Sequence, residues 1–259
     1  MQVAISSLLF KSFNLADVIG LAKDRGVRWL EVWSEHLWRD DDGRMVERLS
    51  KSGLDISVHG PTGDINITSS NPGIRQESLK QVLQAIEEAA RMGARIITIH
   101  PGYLTGRQDE PESIRGLQID AFTQIAKRSQ QLGIMVAMET MERKAKEVVI
   151  HPDLANEIID AVNMENFGIT FDISHAHTVM DVAEFIRRLR RIVHIHISDT
   201  KSGKVHVQMG EGEIAFRPVL QTLKEKYDGP LVIEGWNPRD EVGMVDRSTA
   251  FLRKQLQEI

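Results

Sequence analysis

The sequence predicts a single (β/α)8 barrel, and three observations predict it. Eight short apolar runs alternate with amphipathic stretches from one end of the chain to the other. No change of composition marks a boundary between them. Glycine or proline punctuates many of the changes of period. The 259 residues suit one barrel domain spanning 1–259. A doubly wound open sheet is the rival, but its G-x-G-x-x-G turn after the first strand is absent.

The strand runs are QVAISSLLF (2–10), WLEVW (29–33), DISVHG (55–60), IITIHPG (96–102), IMVAMET (134–140), ITFDIS (169–174), VHIHIS (193–198) and LVIEGW (231–236). Helical patterns lie between them, centred on 15–25, 44–52, 78–92, 112–132, 153–162, 182–191, 217–227 and 242–257. The clearest is 78–92, where Leu79, Val82, Leu83, Ile86 and Ala90 share one face. Pro111 and Pro152 stand where first-turn prolines belong, and Gly26, Gly53, Gly93 and Gly133 each follow a helix as a C-terminal stop. The stretch SEHLWRDDDGR (34–44) is expected as a loop after the second strand.

Composition narrows the chemistry. There is no cysteine, so disulfides and thiolate metal sites are excluded, and any metal must be held by His, Asp, Glu or water. No apolar run approaches the roughly 18–20 residues that span a bilayer. The apolar start MQVAISSLLF lacks a basic segment and a cleavage site, so it reads as a strand and the protein as cytoplasmic. A net charge of −5 disfavours bulk nucleic-acid binding.

In a barrel of this kind the chemistry gathers where the strands end. The third strand ends at His59, the fourth at His100, the fifth at Glu139 and the sixth at Asp172. The seventh carries His194 and His196 with the same parity, His196 nearer the rim and His194 deeper, and the eighth ends at Glu234. A lone strand-end histidine is usually a hydrogen-bonded core residue, and a lone carboxylate a cap or an ion-pair partner. Six successive strands delivering such groups to one rim point instead to a metal centre, because charges buried together must be paired or liganded. Glu139, Asp172, His196 and Glu234 are the first candidates, with His59, His100 and His175 beside them. Mixed imidazole and carboxylate donors without sulfur suit zinc, manganese, cobalt or nickel ahead of magnesium.

With these residues in order, the chain resembles the xylose-isomerase-like TIM-barrel superfamily, which includes sugar-phosphate isomerases and epimerases and the endonuclease IV-like enzymes of AP endonuclease family 2. The segments that carry the resemblance are HGPTGDINITSSNPGIRQES (59–78), TIHPG (98–102), AMET (137–140), FDISHAH (171–177), HIHISDTKSGKVH (194–206), GEGEI (210–214) and PLVIEGW (230–236). The epimerase branch implies one metal held by Glu139, Asp172, His196 and Glu234, with Glu139 and Glu234 as catalytic acid and base and His175 on substrate hydroxyls. The endonuclease branch implies a second site at His59, His100 and Glu139 and a third at His175 and His206. Its third site also wants an aspartate where this chain has Lys204, and an ammonium group has no lone pair to offer. One or two ions therefore fit better than three.

These residues imply a divalent-metal-dependent isomerase or epimerase of a small sugar, sugar phosphate or related keto compound. The metal stabilises an enediolate while paired glutamates move the proton. The alternative is an endonuclease IV-like phosphodiesterase acting on abasic DNA. Against it, the 34–44 stretch carries Glu35 and three consecutive aspartates, which repel a phosphate backbone, and the loop after the third strand has no Lys, Arg or aromatic residue before Arg75. His59, His100, His175 and Lys201 are expected to touch substrate, Lys201 as a phosphate contact. The expected partner is a small carbohydrate, without membrane and possibly within a homodimer. A catalytically inactive barrel and the lyases or dehydratases of the same superfamily are the remaining readings.

Overall fold

The computed structural model describes residues 1–259. Eight parallel strands close into a barrel: β1 (Gln2–Ser6), β2 (Trp29–Trp33), β3 (Asp55–His59), β4 (Ile96–Ile99), β5 (Met135–Glu139), β6 (Phe167–Asp172), β7 (Ile192–Ile197) and, after a short two-stranded hairpin, β10 (Pro230–Ile233). The hairpin pairs β8 (Asp199–Lys201) with β9 (Lys204–Val207) in antiparallel fashion, outside the barrel. Ten helices complete the chain: α1 (Leu15–Asp24), α2 (Ser34–Asp40), α3 (Met45–Ser50), α4 (Pro72–Met92), α5 (Arg115–Gln131), α6 (Pro152–Val162), α7 (Ile173–His177), α8 (Val182–Arg188), α9 (Phe216–Lys224) and α10 (Glu241–Gln257). None is long and apolar enough to cross a membrane.

Strand alternation sorts the side chains. One parity (Val32, Val58, Ile97, Val136, Met138, Ile169, Phe171, Ile195, Ile197) joins the continuous apolar core shared with the helices. The other parity fills the barrel with an unusually polar interior. Ala4, Trp29 and Val232 form its apolar floor. Above them, Thr98 and Thr170 share a hydrogen bond of 2.8 Å, Trp29 donates to Ser57 at 3.1 Å, and His194 Nε2 meets Glu31 Oε2 at 2.8 Å. These three pairs satisfy one another, as burial demands. The top of the interior is the layer of strand-end residues. The in-register neighbours Trp33 and His59, Glu139 and Thr170, and Asp172 and His196 fix their heights.

The local signals are as the sequence suggests where they are chemical. Gly26, Gly53, Gly93 and Gly133 all take positive φ after their helices, and Pro152 opens α6. Three boundaries differ. α4 begins at Pro72 rather than near 78, because Asn71 Oδ1 caps the backbone N–H groups of Gly73 and Ile74. The stretch after β2 is not wholly a loop, since Ser34–Asp40 forms α2. The first strand stops at Ser6, whose hydroxyl accepts from Leu8 N–H and starts a 3-10 turn over Ser7–Phe10.

Candidate metal centre

The top layer brings together the four residues singled out by their strand ends. One donor atom from each of Glu139, Asp172, His196 and Glu234 lies within 4.8 Å of the others, and all four residues are buried. His196 Nδ1 is 3.1 Å from Glu139 Oε1 and 2.9 Å from Glu234 Oε2. The other Glu139 oxygen, Oε2, faces a different group: His100 Nε2 at 3.1 Å and His59 Nε2 at 3.3 Å. Glu139 thus stands between two donor clusters. A third, Asp172, His175 and His206, meets the same 4.8 Å criterion without any contribution from Lys204.

Neighbouring groups aim these donors. His59 Nδ1 donates to the carbonyl of Gly60 at 2.8 Å, which turns Nε2 toward Glu139, where it donates while protonated and offers a lone pair to a cation once the proton leaves. His175 Nδ1 donates to Thr140 O at 2.8 Å, and its Nε2 faces His206 Nε2 at 3.1 Å. Asp172 Oδ1 caps α7, accepting from His175 N–H at 2.7 Å and from the Ser174 hydroxyl at 2.8 Å. Behind His196, Glu31 Oε1 lies 2.9 Å from Nε2. A carboxylate behind a ligating imidazole is the usual support of a metal-bound histidine.

The residues present fit a divalent cation. Asp172 Oδ2 is a buried carboxylate oxygen without any hydrogen-bond partner, and Glu234 Oε2 has only the His196 imidazole beside it. Such atoms call for a cation or a proton. The electrostatics say the same. Burial raises the carboxyl of Glu139, but the charge of His196 and the hydrogen bond from His100 hold it well below its usual range. Burial also raises Glu234, and His196 and His206 bring it down to about 2. Burial disfavours the charged form of His59 and His175, yet the surrounding carboxylates raise both to about 9. The cradle is anionic, and without a cation His59, His175 and His196 hold protons instead.

The centre opens through a cavity of about 300 Å³ lined by His100, Glu139, His175, His206 and Glu234, with Leu8 and Trp33 on one side. Trp33 stacks on His59 with centroids 4.2 Å apart. Lys201 does not line this cavity; it sits exposed beside the turn of the β8–β9 hairpin. Sequence reasoning passed over Glu142 and Glu147, which also line the mouth. The segment ETMERKAKE contains both, and their spacing from Glu139 was the available signal. It also missed the hairpin, which brings His206 to the mouth in the left-handed region at φ 57°. Asp199 anchors that loop, accepting from the N–H groups of Thr200, Gly210, Gly212 and Ile214 at 2.8–3.1 Å, so the GEGEI segment is wrapped around one carboxylate.

Several known proteins are similar to this one over most of the chain. An uncharacterised protein of Methanocaldococcus jannaschii is 30% identical over 267 residues, 99% of this chain and 90% of that protein. A probable endonuclease 4 of Bacillus velezensis is 31% identical over 207 residues, 72% of this chain and 68% of that protein. The crystal structure of a D-tagatose 3-epimerase-like protein superposes with a TM-score of 0.86 at 28% identity, covering 100% of this chain and 99% of that one. With residues 19–255 matched by the family's own pattern, the chain belongs to the xylose isomerase-like TIM barrel family.

Proposed function

We propose that the protein is a divalent-metal-dependent isomerase or epimerase of a keto-sugar, with Glu139, Asp172, His196 and Glu234 holding the ion. One observation carries the reading: the carboxylates of Glu139 and Glu234 approach the same imidazole nitrogen of His196, at 3.1 and 2.9 Å, at the floor of an open cavity. A cation held there would act as a Lewis acid on a substrate carbonyl and make the neighbouring C–H more acidic. Both glutamates are ionised at neutral pH, so either can take that proton and the other, once protonated, can return one. His175 and His206 reach the mouth from one side and His100 from another, where they can donate to or accept from substrate hydroxyls. Trp33 and Leu8 form the remaining wall of the cavity.

The test is solvent-deuterium exchange into ketoses by protein loaded with zinc, manganese or cobalt. Exchange at a single carbon is expected, lowered by about 10²- to 10⁴-fold in Glu139→Gln and in Glu234→Gln. Absence of exchange from every ketose and ketose phosphate would remove the reading.

A second reading is supported by the two further clusters, His59–His100–Glu139 and Asp172–His175–His206, and by the likeness to a probable endonuclease 4. It makes the protein a metal-dependent phosphodiesterase on abasic DNA. Metal-dependent nicking of an abasic duplex, in the absence of any exchange, would establish it over the first.

A further inference from the structure

A second cavity, of about 300 Å³, lies outside the metal centre and shares His206 with its mouth. Lys204 and His206 of the β8–β9 hairpin line it, with Gln208 and Glu211 just after them. The chain beyond Glu234 adds Trp236 and Asn237, and α10 adds Arg247. None of the proposed chemistry uses this space. Because His206 borders both cavities, a substrate seated at the metal centre can extend past it into this one.

The polar groups here that lack partners are mostly donors. Lys204 is exposed, and its ammonium group makes no hydrogen bond or ion pair. Asn237 Oδ1 accepts from Arg239 N–H at 3.2 Å, which leaves its NH2 group free. Arg247 gives Nε to Gln208 Oε1 at 2.7 Å and NH2 to Asp240 Oδ2 at 2.8 Å, so NH1 is free. Among the lining side chains the one free acceptor is Glu211 Oε2, since Glu211 Oε1 is taken by Gln208 Nε2 at 2.7 Å. The indole N–H of Trp236 is spent on Glu241, and its ring is left 44% exposed as an apolar wall.

The hairpin carries an independent sign. Lys201 and Lys204 are cross-strand partners on either side of a turn at Ser202 and Gly203, both at positive φ. Neither lysine has a carboxylate partner. Like charges set directly opposite one another destabilise a strand pair, and an anion beside them removes that cost. A hydroxyl would need an acceptor for its hydrogen as well as a donor, whereas a phosphoryl group offers oxygens alone. Lys204 and Arg247 also outnumber Glu211 among the lining charges.

We propose that this outer cavity is a phosphoryl site, so that the substrate is a ketose phosphate rather than a free ketose. Lys204 Nζ, Asn237 Nδ2 and Arg247 NH1 donate to the phosphoryl oxygens. The keto end lies at the metal centre, the carbon chain passes His206, and the phosphate lies against the hairpin. The inference rests on the keto-sugar reading given above for the metal centre.

The experiment gives the metal-loaded protein fructose, ribulose and xylulose, each beside its phosphate ester at the chain end farther from the carbonyl, and follows deuterium exchange. At least one phosphate is expected to exchange with kcat/KM about tenfold above its free ketose, the scale of one charge-assisted hydrogen bond. Lys204→Gln should lower that ratio about tenfold, and Lys204→Arg should restore most of it. Lys204 is exposed, so neither change threatens the fold. If no phosphate exchanges better than its free ketose, or if Lys204→Gln leaves the ratio unchanged, the site is overturned and the isomerase reading stays in place. Should nothing exchange, that reading falls and binding decides. Inorganic phosphate is then titrated into the metal-free protein while the Asn237 amide and Trp236 indole resonances are followed. A saturable shift that Lys204→Gln weakens keeps the phosphoryl site; no shift, or the same shift in both proteins, removes it. Nicking of an abasic duplex that Lys204→Gln weakens, without any exchange, gives the site to a phosphodiester and overturns the ketose phosphate.

Discussion

Glu31 stands directly behind His196: its Oε1 lies 2.9 Å from the imidazole Nε2, on the far side of the ring from Glu139 and Glu234. Its second oxygen accepts from His194, so one carboxylate holds two histidines of β7 in a fixed orientation. Replacing it by Gln leaves the volume but removes the charge that orients His196. Metal affinity is expected to fall about 10- to 100-fold, read by competition with a chromophoric chelator. An unchanged affinity would mean that His196 is held by the strand alone.

Metal binding should release protons. In the metal-free protein His59 and His175 stay protonated up to about pH 9, because neighbouring carboxylates outweigh the effect of burial. A cation held by Glu139, Asp172, His196 and Glu234 takes the lone pair of His196, whose protonated form the same carboxylates favour, and repels the protons on His59 and His175 beside it. Near pH 7, roughly one to two protons should be released per ion bound, measured by calorimetry in buffers of different ionisation enthalpy. Affinity should rise with pH toward 9. The same two groups stabilise the metal-free fold fully below their ordinary value of 6.5, and that contribution is lost as the pH climbs through about 9.

Asp199→Ala tests the loop that carries His206. The carboxylate accepts from four backbone N–H groups, and its removal strands them. The barrel does not depend on this loop for its strand pairing. Far-ultraviolet circular dichroism should therefore change little, while amide exchange across 199–214 speeds up and activity falls at least tenfold. Uniform protection across the loop would count against the anchoring role.

Gly235 follows Glu234 with φ 146°, and a Cβ there would meet His206 O at 2.9 Å and Met244 Cε at 2.7 Å. Gly235→Ala is expected to cost about 1–3 kcal/mol of stability and to displace both Glu234 and the hairpin. Urea unfolding measures the first effect, and loss of metal affinity out of proportion to stability reports the second.

Much of this molecule is legible in its sequence because the barrel repeats one simple rule. Alternation along each strand makes Val32 and Val58 outward and Glu31 and His59 inward, and the same parity names Glu139, Asp172, His196 and Glu234 as neighbours before any coordinates exist. What resisted reading depends on contacts between distant segments. The β8–β9 hairpin owes its shape to Asp199, whose partners lie up to fifteen residues further on. The role of Glu31 appears only when β2 and β7 face each other across the barrel, 163 residues apart. Lys201 looks like an active-site cation by its distance from His196, yet the hairpin turn leaves it in solvent.

The position of Glu139 has a consequence for how such a centre could change over time. Its two oxygens serve two donor clusters at once, toward His196 and Glu234 on one side and His59 and His100 on the other. No substitution there can retune one cluster without being felt by the other, and ions placed in both would not fill independently. Innovation in metal count or reaction is thus confined to the margins, at half-exposed His100 or on the hairpin with His206, while the shared carboxylate stays the fixed point around which descendants of this chain could vary.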